Sequence, residues 1–163
     1  MQVPPNSDLT LGMVCLDKKT AGRCIWRMTA DERFANPAGI MQGGFLGAFA
    51  DSAMGAAAVT FVQGRKVFAA NAEMKVSFLA PVPPGATLIC TAEVIAGGSR
   101  VAFVEASVVA LDAPDPLPAT GATSATDTTS ATGTPAAPAG AGGAGGERLV
   151  ARATSTYIFR ERG

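Results

Sequence analysis

Histidine is missing from all 163 residues. That excludes a Ser-His-Asp or Cys-His nucleophile built within one chain, because nothing supplies the imidazole base. Acid–base work near neutral pH must fall to carboxylates, Lys, Tyr, Cys or water. Charge is scarce as well: 16% of residues, thirteen basic against thirteen acidic, with a net charge of zero. The basic residues are scattered rather than gathered into the stripe that tracks a phosphate backbone, so no nucleic-acid partner is expected. Cys15, Cys24 and Cys90 are widely spaced and form no CxxC pair. Without His, a zinc or iron–sulfur site lacks its usual ligands, so no metal and no cofactor is implied. The three cysteines read as thiols of a reducing compartment. The opening MQVPPNSDLT has no basic segment followed by an apolar run. No signal peptide is therefore expected, and the cytoplasm is the expected location.

What is present suffices for a packed core. Hydrophobic residues make up 48% of the chain, and its length suits one domain spanning residues 1–163. The segment 112–146 departs from the rest. It runs DAPDPLPATGATSATDTTSATGTPAAPAGAGGAGG, with Leu117 its one large apolar residue. Such composition cannot bury enough surface to offset chain entropy, so the expectation is a disordered insertion between two strands. A hairpin tolerates it because the cost of loop closure grows only logarithmically.

Residues 43–63 (GGFLGAFADSAMGAAAVTFVQ) form the best helix candidate, with no Pro and abundant Ala, Leu, Met and Phe. The run is nearly long enough to span a bilayer, but Asp51 at its centre is costly in lipid. A buried helix, with no membrane partner, is the expectation. At about 100° per residue, Gly44, Gly47, Gly55 and Ala58 fall on the side of Asp51, and Leu46, Phe49, Ala53 and Ala56 opposite. The latter side should meet a sheet. The smooth side, carrying one carboxylate, invites close approach by a second helix, a ligand or both. Period-two patterns at 72–79, 87–95, 101–111 and 149–159, with earlier runs at 11–16 and 23–28, read as antiparallel strands separated by PVPPG and AGGS turns. One helix amid such strands gives an α+β fold with the helix covering one face.

Gln42-Gly43-Gly44 sits where loop becomes helix, so the Gly43 and Gly44 amides are among the unpaired N–H groups of its first turn. With the helix dipole behind them they suit a developing oxyanion. Asp51 follows two turns on.

Asn36-Pro37-x-Gly39, Gln42-Gly43-Gly44 and Phe49-Ala50-Asp51-Ser52 together resemble the signature of hotdog-fold acyl-CoA thioesterases of the phenylacetate-pathway (PaaI-like) type, roughly N-x2-G-x2-HGG-x6-AD. The stretches NAEMKVSFLAPVPPG, GGSRVAFVEASVV and LVARATSTYIF are similar to the family's later strands. The resemblance implies a hotdog: an antiparallel sheet wrapped around one long central helix, in a homodimer or homotetramer with active sites between subunits. It implies hydrolysis of acyl-CoA, with Asp51 as nucleophile or general base and the Gly43 amide polarising the thioester carbonyl. Asn36 would hold substrate or the lytic water. Gly44 and Asn71 would contact substrate, Asn71 along the pantetheine arm. Gly98, Ser99 and Arg100 would meet the nucleotide end of coenzyme A. The family commonly has His where this chain has Gln42, which can hydrogen-bond but cannot move a proton near neutral pH. The Asp51 route survives that change, because its oxyanion donor is backbone. A hotdog that binds acyl-CoA without turning it over is the alternative.

Overall fold

The computed structural model of the protein describes residues 5–111 and 146–161. The insertion expected at 112–146 lies outside the described residues apart from Gly146. The elements in order are α1 (Asn6–Thr10), β1 (Val14–Asp17), β2 (Arg23–Thr29), a 3-10 turn (Glu32–Phe34), α2 (Gly43–Phe61), β3 (Val67–Phe78), β4 (Thr87–Gly97), β5 (Val101–Leu111) and β6 (Glu147–Glu161). The six strands make one sheet in the order β1-β2-β4-β5-β6-β3, with every neighbouring pair antiparallel. This sheet packs around α2, which touches β2, β3, β4, β5 and β6. The expected α+β architecture is what forms.

Alternation drives the layering. Leu88, Cys90 and Ala92 of β4, Ala102 to Ala110 at every second residue of β5, and Ala151, Ala153, Ser155, Tyr157 and Phe159 of β6 are all buried toward the helix. Many are alanines, and α2 answers with Ala50, Ala53, Ala57 and Ala58, each fully buried. Small side chains on both surfaces let helix and sheet approach closely, with Phe49 and Met54 filling the remaining volume. By length and composition α2 would pass for a membrane span, yet its buried stripe is covered by this sheet. It is a core helix.

Three expectations need correction. Segment 81–85, PVPPG, is not a hairpin turn between adjacent strands: β3 pairs with β6, and β4 with β2 and β5. The segment crosses over instead, held by Met41 N–H to Val82 O at 2.8 Å and Gly85 N–H to Ala30 O at 2.7 Å. Its prolines cannot donate to a ladder and fix an extended path, which suits a crossover. The smooth side of α2 is also partly enclosed, because Gly47 and Ala58 are buried. The sheet curls far enough for Met74 and Val76 of β3 to stand over Gly47, 3.8 and 4.0 Å from where a Cβ would be. Finally, Asn71 lies within β3 rather than before it.

Candidate active site

The start of α2 is fixed by contacts from three directions. Phe34 stacks on Phe45 with ring centroids 4.4 Å apart. Gln42 N–H donates to Phe34 O at 2.7 Å, and Ala35 bridges Met41. Gln42 is the N-cap in an extended conformation, and its own side chain caps nothing. Phe45 N–H reaches back to Gln42 O at 3.0 Å, but among the described residues no backbone acceptor meets the Gly43 or Gly44 amide. Both remain free to bind a ligand, as first-turn amides do. A Cβ on Gly44 would meet nothing within 4 Å, whereas one on Gly43 would lie 2.9 Å from Cζ of Phe78.

Gly43 heads a cleft of about 420 Å³ whose walls include Asn36, Ile40, Met41, Phe78 and Val82. The walls are mostly apolar, and two polar groups converge on them. Asn36 spends its carbonyl oxygen locally, accepting from Ala38 N–H at 2.9 Å and Ile40 N–H at 3.4 Å. With Gly39 at φ +75° this makes the tight NPAG turn. The Asn36 side-chain amide is what remains for a ligand.

Asp51 is half-buried two turns along. Its Oδ1 accepts from Asn71 Nδ2 at 2.5 Å and from the Tyr157 hydroxyl at 2.7 Å. The same hydroxyl lies 2.9 Å from the Asp51 main-chain oxygen. Ser155, itself buried, places its hydroxyl 2.8 Å from Asn71 Oδ1 and 2.7 Å from Glu73 O. A carboxylate offers only acceptors, so the NH2 of Asn71 is the end that faces Asp51, and Oδ1 is left toward Ser155. Among the described residues nothing donates to Asp51 Oδ2. Burial first, then the hydrogen bond and charge of Asp51, push the Tyr157 hydroxyl above its ordinary value, so it stays a donor at neutral pH.

A bulge brings Asn71 into this group. In the β3–β6 ladder Asn71 faces Tyr157 while Glu73 faces Thr156, so Ala72 is an extra residue. Strict alternation back from Met74 and Val76 would turn Asn71 outward. The inserted residue flips it to the helix side, as bulges beside functional sites do.

The structure therefore forms two groupings. Asn36, Gly43 and Gly44 gather at the head of α2, with exposed Gln42 beside them; Asp51 and Asn71 meet farther along. Asp51 lies eight positions beyond Gly43 on one continuous helix, about 12 Å of axial rise, and Gly47 beneath Met74 and Val76 lies between. Within one chain the amide and the carboxylate cannot both reach one carbonyl carbon. Gly98, Ser99 and Arg100 are exposed in the β4–β5 turn, beyond the other end of the helix. Arg65 ties that turn down by donating to Ser99 O at 2.8 Å, while pairing with Glu161 at 3.6 Å. Tyr157, Ser155 and Arg65 are site-region residues that sequence reasoning did not single out. Tyr157 had one signal: it is the chain's one tyrosine, on the inward register of the last strand, where a buried hydroxyl requires a partner.

A curved antiparallel sheet around one long helix, with free amides at the helix start and a tethered carboxylate at its middle, defines a hotdog-fold protein. The model of the thioesterase superfamily matches residues 38–116. Solved structures share the fold over nearly the whole chain. The PaaI protein of the E. coli phenylacetic acid degradation operon aligns with a TM-score of 0.70 at 18% identity, covering 98% of this chain and 86% of that one. A putative thioesterase related to phenylacetic acid degradation, from Ralstonia eutropha JMP134, gives 0.66 at 24% identity over 97% and 92%. A thioesterase family protein from Silicibacter pomeroyi gives 0.71 at 22% over 97% and 91%. No curated protein sequence matches the chain. The PaaI-like hotdog resemblance read from the sequence is borne out.

Proposed function

We propose that this protein hydrolyses acyl-CoA thioesters to a free acid and coenzyme A, at sites shared between two copies of the chain. The observation that carries the reading is Asp51, a carboxylate with one oxygen doubly held and, among the described residues, the other unpartnered, on a helix whose first amides meet no backbone acceptor there. The superfamily match supports thioester chemistry. The axial separation of Gly43 from Asp51 supports a composite site, in which the Gly43 amide of one protomer faces Asp51 of the partner subunit. The edge strand β3 supports the pairing. Among the described residues β6 is its one strand neighbour, and Phe68, Met74 and Phe78 on it are exposed. A long, bare, apolar edge of this kind is a template for a second chain. The assembly is a homodimer or homotetramer, and the three free cysteines suit the cytoplasm.

In this reading the acyl group lies in the cleft below Gly43 and its carbonyl oxygen takes the Gly43 amide, with Gly44 open beside it. Asp51 attacks the carbonyl carbon directly, or removes a proton from a water that does. The tetrahedral oxyanion is stabilised by the helix-start amide. Collapse breaks the C–S bond, and the departing coenzyme A thiolate takes its proton from solvent, since no histidine is present to supply one. Direct attack leaves an acyl-aspartyl anhydride that water then opens. Asn36 and Gln42 offer side-chain amides to the thioester or the water. Asn71 holds Asp51, a more immediate role than contact with pantetheine. In the turn Gly98-Ser99-Arg100, braced by Arg65, the Arg100 guanidinium meets the nucleotide phosphates.

Thiol release from a panel of aryl and fatty acyl-CoAs tests this. The native protein should release coenzyme A, and Asp51→Asn should lower kcat by roughly a thousandfold or more. Turnover unaffected by that change would contradict the assignment. Gln42 in place of His favours one second reading, a protein that binds acyl-CoA without cleaving it. Saturable binding with no thiol release across the panel would identify it.

A further inference from the structure

Building on the hydrolase reading, we infer that Tyr157 is a positioning residue for Asp51: together with Asn71 it pins Oδ1, leaving Oδ2 as the one oxygen that meets the thioester carbon or the water. Four observations lead there. Tyr157 projects from the inward register of β6 and reaches across to α2, with its hydroxyl 2.7 Å from Asp51 Oδ1. A buried tyrosine needs an acceptor, and the Asp51 main-chain oxygen at 2.9 Å would have sufficed for stability alone. The carboxylate is nearer and, being charged, is the stronger acceptor. Gly55, one turn beyond Asp51, leaves room for the ring: a Cβ there would sit 3.6 Å from the tyrosine's Cε1 and hydroxyl, so a side chain larger than alanine would displace it.

The second donor is prepared from the other side. The bulge at Ala72 turns Asn71 inward, with Oδ1 2.8 Å from the buried Ser155 hydroxyl and Nδ2 toward the carboxylate. Two donors of different origin, one from each of two paired strands facing one another in register, thus converge on the same oxygen. A carboxylate on a single χ1–χ2 pair would otherwise exchange its two oxygens by rotation. Held by two hydrogen bonds to Oδ1, it cannot do so without breaking both. In a chain with no histidine to orient the attacking group, this pair of donors supplies the orientation.

Tyr157→Phe removes the hydroxyl and keeps the ring. The expected result is a fall in kcat of roughly ten- to hundredfold, the effect of losing one hydrogen bond to a charged group, with KM held within about twofold. A purely structural role would move KM and thermal stability without that split. A second measurement works whether or not the protein turns over substrate. Because Tyr157 is the one tyrosine, tyrosinate absorbance reports it alone. In Asp51→Asn, with the facing charge gone, ionisation should occur at lower pH than in the native protein. Equal titrations in the two proteins, over the pH range in which circular dichroism shows both still folded, would overturn the inference. So would Tyr157→Phe keeping native kcat while Asp51→Asn loses turnover, an outcome that leaves the hydrolase reading intact. Absence of thiol release from the native protein would sink the hydrolase reading, and the titration would then still decide whether Tyr157 holds the carboxylate.

Discussion

Asp51 stands out in the sequence because it is the one charge inside a long apolar helix, and its chemistry could be read at once. Its partners could not. Asn71 and Tyr157 are 20 and 106 positions away, and the bulge that turns Asn71 inward changes the face of a residue without any mark in local composition. Asn36 was legible as a candidate site residue, but not its Asx turn, which commits the carbonyl oxygen and leaves only the amide. The cysteines illustrate the same division. Their reduced, unpatterned state was readable; their unequal chemistry depends on packing. Cys24 donates its thiol proton to Ala53 O at 3.0 Å while Trp26 Nε1 donates to its sulfur at 3.2 Å. Burial pushes the Cys24 thiol up to about 11 despite the Trp26 bond, and burial raises Cys90 further. Because the thiolate is the reactive form, native protein at pH 8 should react with a thiol reagent quickly at half-buried Cys15 and slowly at the other two. Counting modified cysteines with time, before and after denaturation, checks this; rapid labelling of all three would contradict it. The raised Cys24 value also implies that its stabilising contribution, intact below the ordinary thiol range, is lost as pH climbs toward 11.

At the scale of elements, the long helix was readable almost to its ends, because alanine-rich sequence bounded by glycine and a Gly-containing turn has few alternatives. The face it buries was only partly readable. The wheel assumes a flat sheet on one side, but this sheet curls until β3 and β6 reach the Asp51 flank, enclosing Gly47. The crossover at 81–85 was misassigned for a related reason: proline and glycine announce a change of direction without saying which strand the chain rejoins. The helix start offers a clean test. Gly43 is the first helical residue, where proline is well accommodated, and Gln42 before it is already extended at φ −64°, ψ 131°. Gly43→Pro therefore removes the amide while leaving the backbone path. Gly43→Ala keeps the amide and adds a Cβ against the Phe78 ring, which is 55% exposed and free to shift. In acyl-CoA hydrolysis Gly43→Pro should lose roughly a hundredfold or more in kcat relative to Gly43→Ala, the cost of one oxyanion donor. Equal rates in the two variants would remove the amide from the mechanism.

The whole molecule joins these parts. A sheet with one long bare edge and a helix whose proposed catalytic groups lie about 12 Å apart along its axis make sense together if two chains complete each other. Composition and spacing indicated the fold and the separate groups. The separation of the Gly43 amide from Asp51 follows from the continuity of α2 from Gly43 to Phe61, and it supports the proposal that they act across chains. Mixed assembly of two dead variants tests that claim most directly. Gly43→Pro and Asp51→Asn would each be inactive alone. When refolded together at equal amounts, half of the dimers contain one chain of each kind, and in each of those one site joins an intact Gly43 to an intact Asp51. Thiol release should then return to about a quarter of the native rate. A mixture as inactive as its components would mean that amide and carboxylate do not act across chains, and the composite site would be wrong.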